Sequence, residues 1–162
     1  MLKLEQHEQE KGPVRYYSGF GFMIASSGLS PIAPPWTSLT AYDLNEGVIQ
    51  WKIPLGEVPE LAAKGFNHTG VHFPKIGPVV TAGGLIFTAS RDRKVRALDK
   101  ETGQVLWETE LEAGLEGIPA VYEAGGREYL VVCAAAQSGV SPSSQGKIRG
   151  SYVAFALPES SK

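Results

Sequence analysis

The chain has 162 residues, 43% hydrophobic and 20% charged, with a formal net charge of −2. That length can bury a real apolar core, and the near-neutral balance offers no electrostatic footprint for nucleic acid or an anionic membrane. No apolar stretch approaches the about 18 residues of a membrane-spanning helix, and nineteen Gly and eleven Pro alternating with short apolar runs favour many short strands.

Residues 1–15 form a charged N-terminal tail in which nothing reads as a signal peptide. Strand-rich chain is expected over 16–158, with a second tail at 159–162. Phe20-Gly21-Phe22-Met23-Ile24 reads as the first strand, and a Pro-rich extended stretch follows from Ser30 to Trp36. Residues 39–51 then read as a hairpin: an alternating run into Asp43, polar residues ending in Gly47, and a return strand reaching Trp51. A long connection from Gly56 to Lys75 contains one helical turn near residues 58–65, and connections of that length tend to be functional. Residues 77–111 hold strand, Gly83-Gly84 turn, strand and a second Trp hairpin. A third unit starts at Ile118, turns at Gly125-Gly126, returns through Tyr129 to Ala135, and resumes over residues 152–157.

The two hairpins are copies. Ala41 and Ala97, Asp43 and Asp99, Gly47 and Gly103, and Trp51 and Trp107 are each separated by 56 residues. In each copy the Gly supplies the left-handed position of a tight turn and the Trp a large apolar surface. A lone hairpin is marginal, so the Trp must pack on a neighbouring sheet, and a repeat of this size is that of a propeller blade. The expected fold is therefore all-β: a partial β-propeller of antiparallel four-stranded blades, one complete blade flanked by two incomplete ones. A closed propeller takes about four to eight blades. Exposed sheet edges and blade faces, and hence a homo-oligomer or pairing with missing blades, are the expectation.

The segments Pro34-Pro35-Trp36, Leu39 to Leu44, Trp51 to Gly56, Gly77 to Phe87 and Ser90 to Asp99, with the tail Gly150 to Pro158, resemble the closing section of membrane-type quinoprotein glucose dehydrogenases. The resemblance implies a propeller that holds pyrroloquinoline quinone (PQQ) and a divalent cation on its axis. Such enzymes oxidise a sugar or alcohol in the periplasm, an aspartate acting as base, and pass electrons to a quinone or cytochrome. The family's base, cofactor lysine and metal ligands match nothing in these 162 residues, so no catalytic residue and no metal ligand is assigned. Three positions match cofactor-site segments. Asp92 either fixes a polar or cationic partner facing the PQQ pocket or is a turn aspartate before a strand. Gln137, after Ala134-Ala135-Ala136, stands where glucose-oxidising members often carry His. Gly77, after Ile76, retains one member of a Gly-Gly pair. The implied function is that of a C-terminal fragment of a PQQ-dependent sugar or alcohol dehydrogenase, catalytically incomplete alone. The alternative is a non-catalytic PQQ-repeat propeller serving as a scaffold or interaction module.

Other constellations carry less. His68 and His72 have a helical spacing but Gly70 between them and no third ligand nearby. Cys133, inside an apolar run, reads as a buried small hydrophobe. The basic run at Arg91, Arg93 and Lys94 reads as a solvated turn, Gly19-Phe20-Gly21 as strand, and the Ser-rich residues 138–146 as a loop.

Overall fold

The structure is a computed structural model. It describes residues 4–7, 15–18, 24–72, 75–136 and 150–157, with backbone alone at 4–7, 15–18 and 136. Two units are present, 1–31 and 32–162. In the first, β1 (Leu4–His7) pairs antiparallel with β2 (Arg15–Ser18), Leu4 opposite Ser18 and His7 opposite Arg15. A tight turn follows, in which the Gly28 N–H donates to the Ala25 carbonyl at 2.8 Å. Of the expected Phe20–Ile24 strand only Ile24 falls among the described residues, and it is not in a strand.

The second unit holds three antiparallel sheets. The first is β3 (Ser38–Asp43) with β4 (Val48–Pro54). A single helical turn, α1 (Pro59–Ala62), lies in the long connection that follows. The second sheet is a complete blade, β5 (Val79–Val80), β6 (Leu85–Ala89), β7 (Lys94–Asp99) and β8 (Val105–Glu110), ordered as in the sequence. The third comprises β9 (Gly114–Ala124), β10 (Arg127–Ala136) and β11 (Ser151–Ala156), with β10 in the middle. One whole blade between two partial ones is the expected architecture. The structure also exposes the expected apolar surface, including Leu44, Ile118, Tyr152 and Leu157.

The hairpins repeat atom for atom. Asp43 Oδ1 accepts from the N–H groups of Asn45 (2.8 Å) and Glu46 (3.2 Å), and its carbonyl from the Gly47 N–H (2.8 Å). Asp99 does the same for Glu101 (3.0 Å), Thr102 (2.8 Å) and Gly103 (2.9 Å). Both glycines are left-handed, with φ of 69° and 72°. The side-chain cap explains why Asp begins each turn, and the positive φ why Gly ends it. Across each ladder Ala41 faces Trp51 and Ala97 faces Trp107, with the register slipping at the next residue. The small Ala leaves room for the indole of its partner.

Trp51 joins the first sheet to the second. Its indole N–H donates to the Lys100 carbonyl at 3.0 Å. Its ring lies so close over Gly103 that a Cβ there would meet Trp51 at 2.9 Å. Trp107 reaches the third sheet in the same sense, meeting Phe155 of β11 edge-on with centroids 5.6 Å apart. Both indoles thus lie between successive sheets.

The main core fills the space between the complete blade and the third sheet: Ala89, Val95, Leu115, Leu130, Val132 and Ala134, backed by Phe87, Val121, Val153 and Phe155. Alternation along β10 sends Leu130, Val132 and Ala134 inward. Cys133 therefore takes the opposite face and is only half-buried, not the core residue expected of it. In β9 the register slips across Gly117, Ile118 and Pro119, opposite Val132. The slip carries β9 to the segment before β5, where Gly117 bridges Ile76 and its N–H donates to the Lys75 carbonyl at 2.7 Å.

Replacing either turn glycine by Ala should cost about 1 kcal/mol for the left-handed backbone. Gly47→Ala should cost only that, because its Cβ would meet nothing within 4 Å. Gly103→Ala must also displace the Trp51 indole, for a total of about 3 kcal/mol. Urea unfolding of the two variants measures the difference, and equal losses would contradict the Trp51 contact.

Candidate functional site

The turn between β6 and β7, residues 90–93, gathers segments from all three sheets. Within it the Arg93 N–H donates to the Ser90 carbonyl (3.1 Å), and Arg93 adopts a positive φ of 71°. The Ser90 carbonyl also accepts from the Leu115 N–H at the start of β9 (3.1 Å), and the Arg93 carbonyl from the Leu111 N–H after β8 (2.8 Å). From the connection after β4, Gly56 packs so tightly that a Cβ would meet Val71 at 2.6 Å, Ser90 at 2.8 Å and Asp92 at 2.9 Å. Glycine is the residue that fits there.

Asp92 sits at the centre, with its side chain 1% exposed. Its carboxylate accepts from Arg96 at 2.5 Å (Nη2) and 3.2 Å (Nη1), and from the N–H groups of Glu57 and Lys94, each at 3.2 Å. The Ser90 hydroxyl adds a further short bond. A carboxylate offers about four acceptor positions, so this one is saturated from within the fold. Arg96 lies mid-strand opposite Glu108 on β8 and bonds it through Nε at 2.8 Å. Burial opposes the Arg96 charge, but bonding and attraction from Asp92 and Glu108 outweigh it and raise its pKa. Lys94 extends the chain of charges to Glu108 (2.9 Å) and Glu57 (3.4 Å). Its pKa is raised, chiefly by the Glu108 bond. Arg91 pairs with Glu116 on β9, and Arg93 with Glu110 on β8.

The basic run is thus a turn, but each of its cations meets an acid from a neighbouring strand or loop. Period-two placement of Glu108 and Glu110 opposite the basic residues was the only signal for this in the sequence, and nothing there pointed to Glu57. Gly77 lies beside the β9 slip, where Ile118 fills the space of the absent Cβ, which would meet it at 2.9 Å. Gln137 lies outside the described residues. The histidines do not converge: His68 is exposed with φ 60°, whereas His72 is buried edge-on against Trp36, centroids 5.3 Å apart. Burial lowers the His72 pKa. Among the described residues no group of three His, Cys, Asp or Glu side chains could hold a metal ion.

PQQ is a flat, three-ring tricarboxylate. The recess beside this turn, bounded by Glu57, Val58, Pro59, Val71, His72 and Arg91, has a volume near 10 Å³. That is room for about one water, against about 300 Å³ or more for a cofactor-sized ligand. With Asp92 saturated, Ile118 against Gly77 and a recess of this size, the 90–93 turn does not by itself fit PQQ.

Residues 3–130 match the family model for the PQQ-type "Glucose/ethanol/alcohol dehydrogenase, beta-propeller domain". The chain belongs to this family. Its similarity to curated members runs nearly from end to end. A probable quinate dehydrogenase (quinone) of Xanthomonas campestris pv. juglandis is 33% identical over 144 residues, covering 84% of this chain and 18% of the relative. The quinoprotein glucose dehydrogenase of Escherichia coli is 33% identical over 144 residues, covering 83% and 17%. This PQQ-propeller chain thus spans less than a fifth of the length of these relatives. Among solved structures, the quinohemoprotein alcohol dehydrogenase of Comamonas testosteroni superposes with a TM-score of 0.52 at 21% identity, covering 77% of this chain and 18% of that one. That likeness supports the fold alone. No helix among the described residues is long and apolar enough to cross a membrane.

Asp92→Asn should destabilise this PQQ-propeller chain by about 3 kcal/mol, because buried Arg96 would keep only the more exposed Glu108 as its counter-charge. A loss under about 1 kcal/mol in urea would show the pair to be dispensable. His72 predicts an acid limb. Its folded pKa lies below 6.5, so as pH falls past 6.5 the unfolded chain takes up a proton that the folded chain resists. Stability should therefore decline below pH 6.5, and His72→Gln should flatten that decline in urea midpoints recorded from pH 7 to 5.5.

Proposed function

We propose that this chain is the C-terminal part of a PQQ-dependent sugar or alcohol dehydrogenase, supplying blades and part of the cofactor rim to a larger propeller. The carrying observation is the incompleteness of both flanking sheets beside a complete blade. Among the described residues the first has two strands, and a cleft of about 410 Å³ between it and the complete blade is lined by Tyr42, Trp51, Val80 and Ile86. Among the described residues the third has no fourth strand next to β11. Natural edge strands carry charges or prolines that discourage pairing. Ser151-Tyr152-Val153-Ala154-Phe155-Ala156 carries neither.

In the assembled propeller, residues 16–158 form the contributed section. Asp92, Gly77 and Gln137 belong to the rim of the PQQ site, with Asp92 acting through the Glu57 segment that it holds. PQQ supplies hydride acceptance there, and the base and the ligands of the divalent cation come from other blades. A periplasmic location follows from the same reading. So does association, either with those blades or with further copies of this chain.

One observation favours a second reading. Asp92 is saturated by contacts within the chain and Ile118 stands against Gly77, as suits a propeller scaffold that binds no cofactor.

Titration with PQQ and Ca²⁺ separates the readings. The chain alone should show no saturable binding and no glucose or alcohol oxidation. Co-expressed with the upstream blades of a relative such as the Escherichia coli glucose dehydrogenase, it should form a complex that binds PQQ. A complex without PQQ binding would favour the scaffold, and no complex at all would overturn the fragment reading.

A further inference from the structure

Nearly every edge strand of the three sheets in the second unit is guarded against pairing with another chain. β4 carries Lys52 and Pro54, β8 carries Glu108 and Glu110, and β9 carries Glu116 and Pro119. β3 ends in Asp43, and β5 is two residues long. Charge, proline and shortness are the usual guards of an edge. β11 has none of them. One side of it pairs with β10 from Ser151 to Ala156, and among the described residues nothing pairs with the other. Val153 and Phe155 turn to the core, which leaves Tyr152, Ala154 and Ala156 on the opposite face. Tyr152 is 81% exposed, and Leu157, just past the strand, 80%. The neighbouring outer strand adds a second open apolar surface: Trp107 meets Phe155 yet stays 41% exposed, and Leu106 is 55% exposed.

Residues 151–157 read Ser-Tyr-Val-Ala-Phe-Ala-Leu and are matched in size about Ala154. Laid antiparallel on a second copy with Ala154 on the two-fold axis, Val153 stands opposite Phe155, Tyr152 opposite Ala156 and Ser151 opposite Leu157. Each of these pairs sets a larger side chain against a smaller one, so cross-strand neighbours can pack. The same register keeps the core faces of both copies on one side of the joined sheet. We propose that β11 is a homodimerisation edge, through which two copies join their third sheets into one antiparallel sheet. Val153 of the partner subunit falls next to Phe155 and covers the open part of Trp107. Such an isologous contact closes at two copies. A second copy takes this edge when the chain stands alone; in an assembled propeller the edge belongs to a strand of another blade. The dimer therefore goes beyond the fragment reading and does not depend on it.

Sedimentation equilibrium of the chain alone should show reversible exchange between monomer and dimer. Ala154→Lys sets like charges face to face on the axis and should weaken the dimer at least tenfold. Ala154 is exposed, so the urea midpoint of the diluted variant should match that of the wild type. The register is read by cross-linking with oxidised glutathione in a Cys133→Ser background. Ala154→Cys should bridge to its own counterpart, because paired Cα atoms across a ladder lie about 4.5–5.5 Å apart, within disulfide reach. Tyr152→Cys should not, since its counterpart would stand about 13 Å away along the strands. A monomer at every concentration overturns the proposal, and so does an assembly larger than two copies. A dimer that Ala154→Lys leaves intact overturns it as well, as does bridging at Tyr152 as ready as at Ala154. Should the lysine variant fail to fold, the cross-linking pair decides by itself. Capture by upstream blades is a separate measurement, so the fragment reading can fail while the dimer stands, and the reverse.

Discussion

An indole laid across a left-handed glycine holds the first two sheets together. Trp51 brings one of the largest apolar surfaces available to a side chain, and Gly103 is the one residue over which it can lie flat. The N–H bond to the Lys100 carbonyl keeps the ring from sliding. A hydrophobic contact is indifferent to direction, and a hydrogen bond is not. Together they determine which sheet follows which. The matching turn of the first hairpin has nothing within 4 Å of the place where a Gly47 Cβ would stand.

The charge chain at the β6–β7 turn works at the opposite level of detail. It joins three separate stretches, through Glu57, Asp92 with Arg96, and Glu116, where apolar packing alone would leave the loops free to shift. Burying Asp92 and Arg96 is costly, and the cost is offset only because every acceptor position on the carboxylate is filled. A carboxylate so fully engaged makes a rigid support and a poor ligand. That is how this chain can belong to a cofactor-binding family and yet present no cradle for the cofactor at the 90–93 turn.

Much of the fold was legible in the sequence because its signals are local. Ala, Asp, Gly and Trp at a constant offset encode a bulged hairpin with an Asp cap, a left-handed glycine and a small residue facing a large one. Each of these is decided within a dozen residues. Strand alternation likewise placed the blade strands. Cys133 was misjudged because an apolar run through a strand does not say which alternate residues face the core, and Val132 and Ala134 took it. The basic run at Arg91 to Lys94 was read as solvated because its counter-charges Glu57 and Glu116 are distant in the chain.

The sequence alone determined the repeat, the all-β class, the partial propeller and the kinship to quinoproteins, since all four depend on spacing and side-chain type along a line. Only the tertiary structure decided what Asp92 and Gly77 touch, and which of two turns with the same Asp cap and left-handed glycine is covered and which stands open. Those outcomes depend on which surfaces meet across space, and a shared local pattern does not determine them.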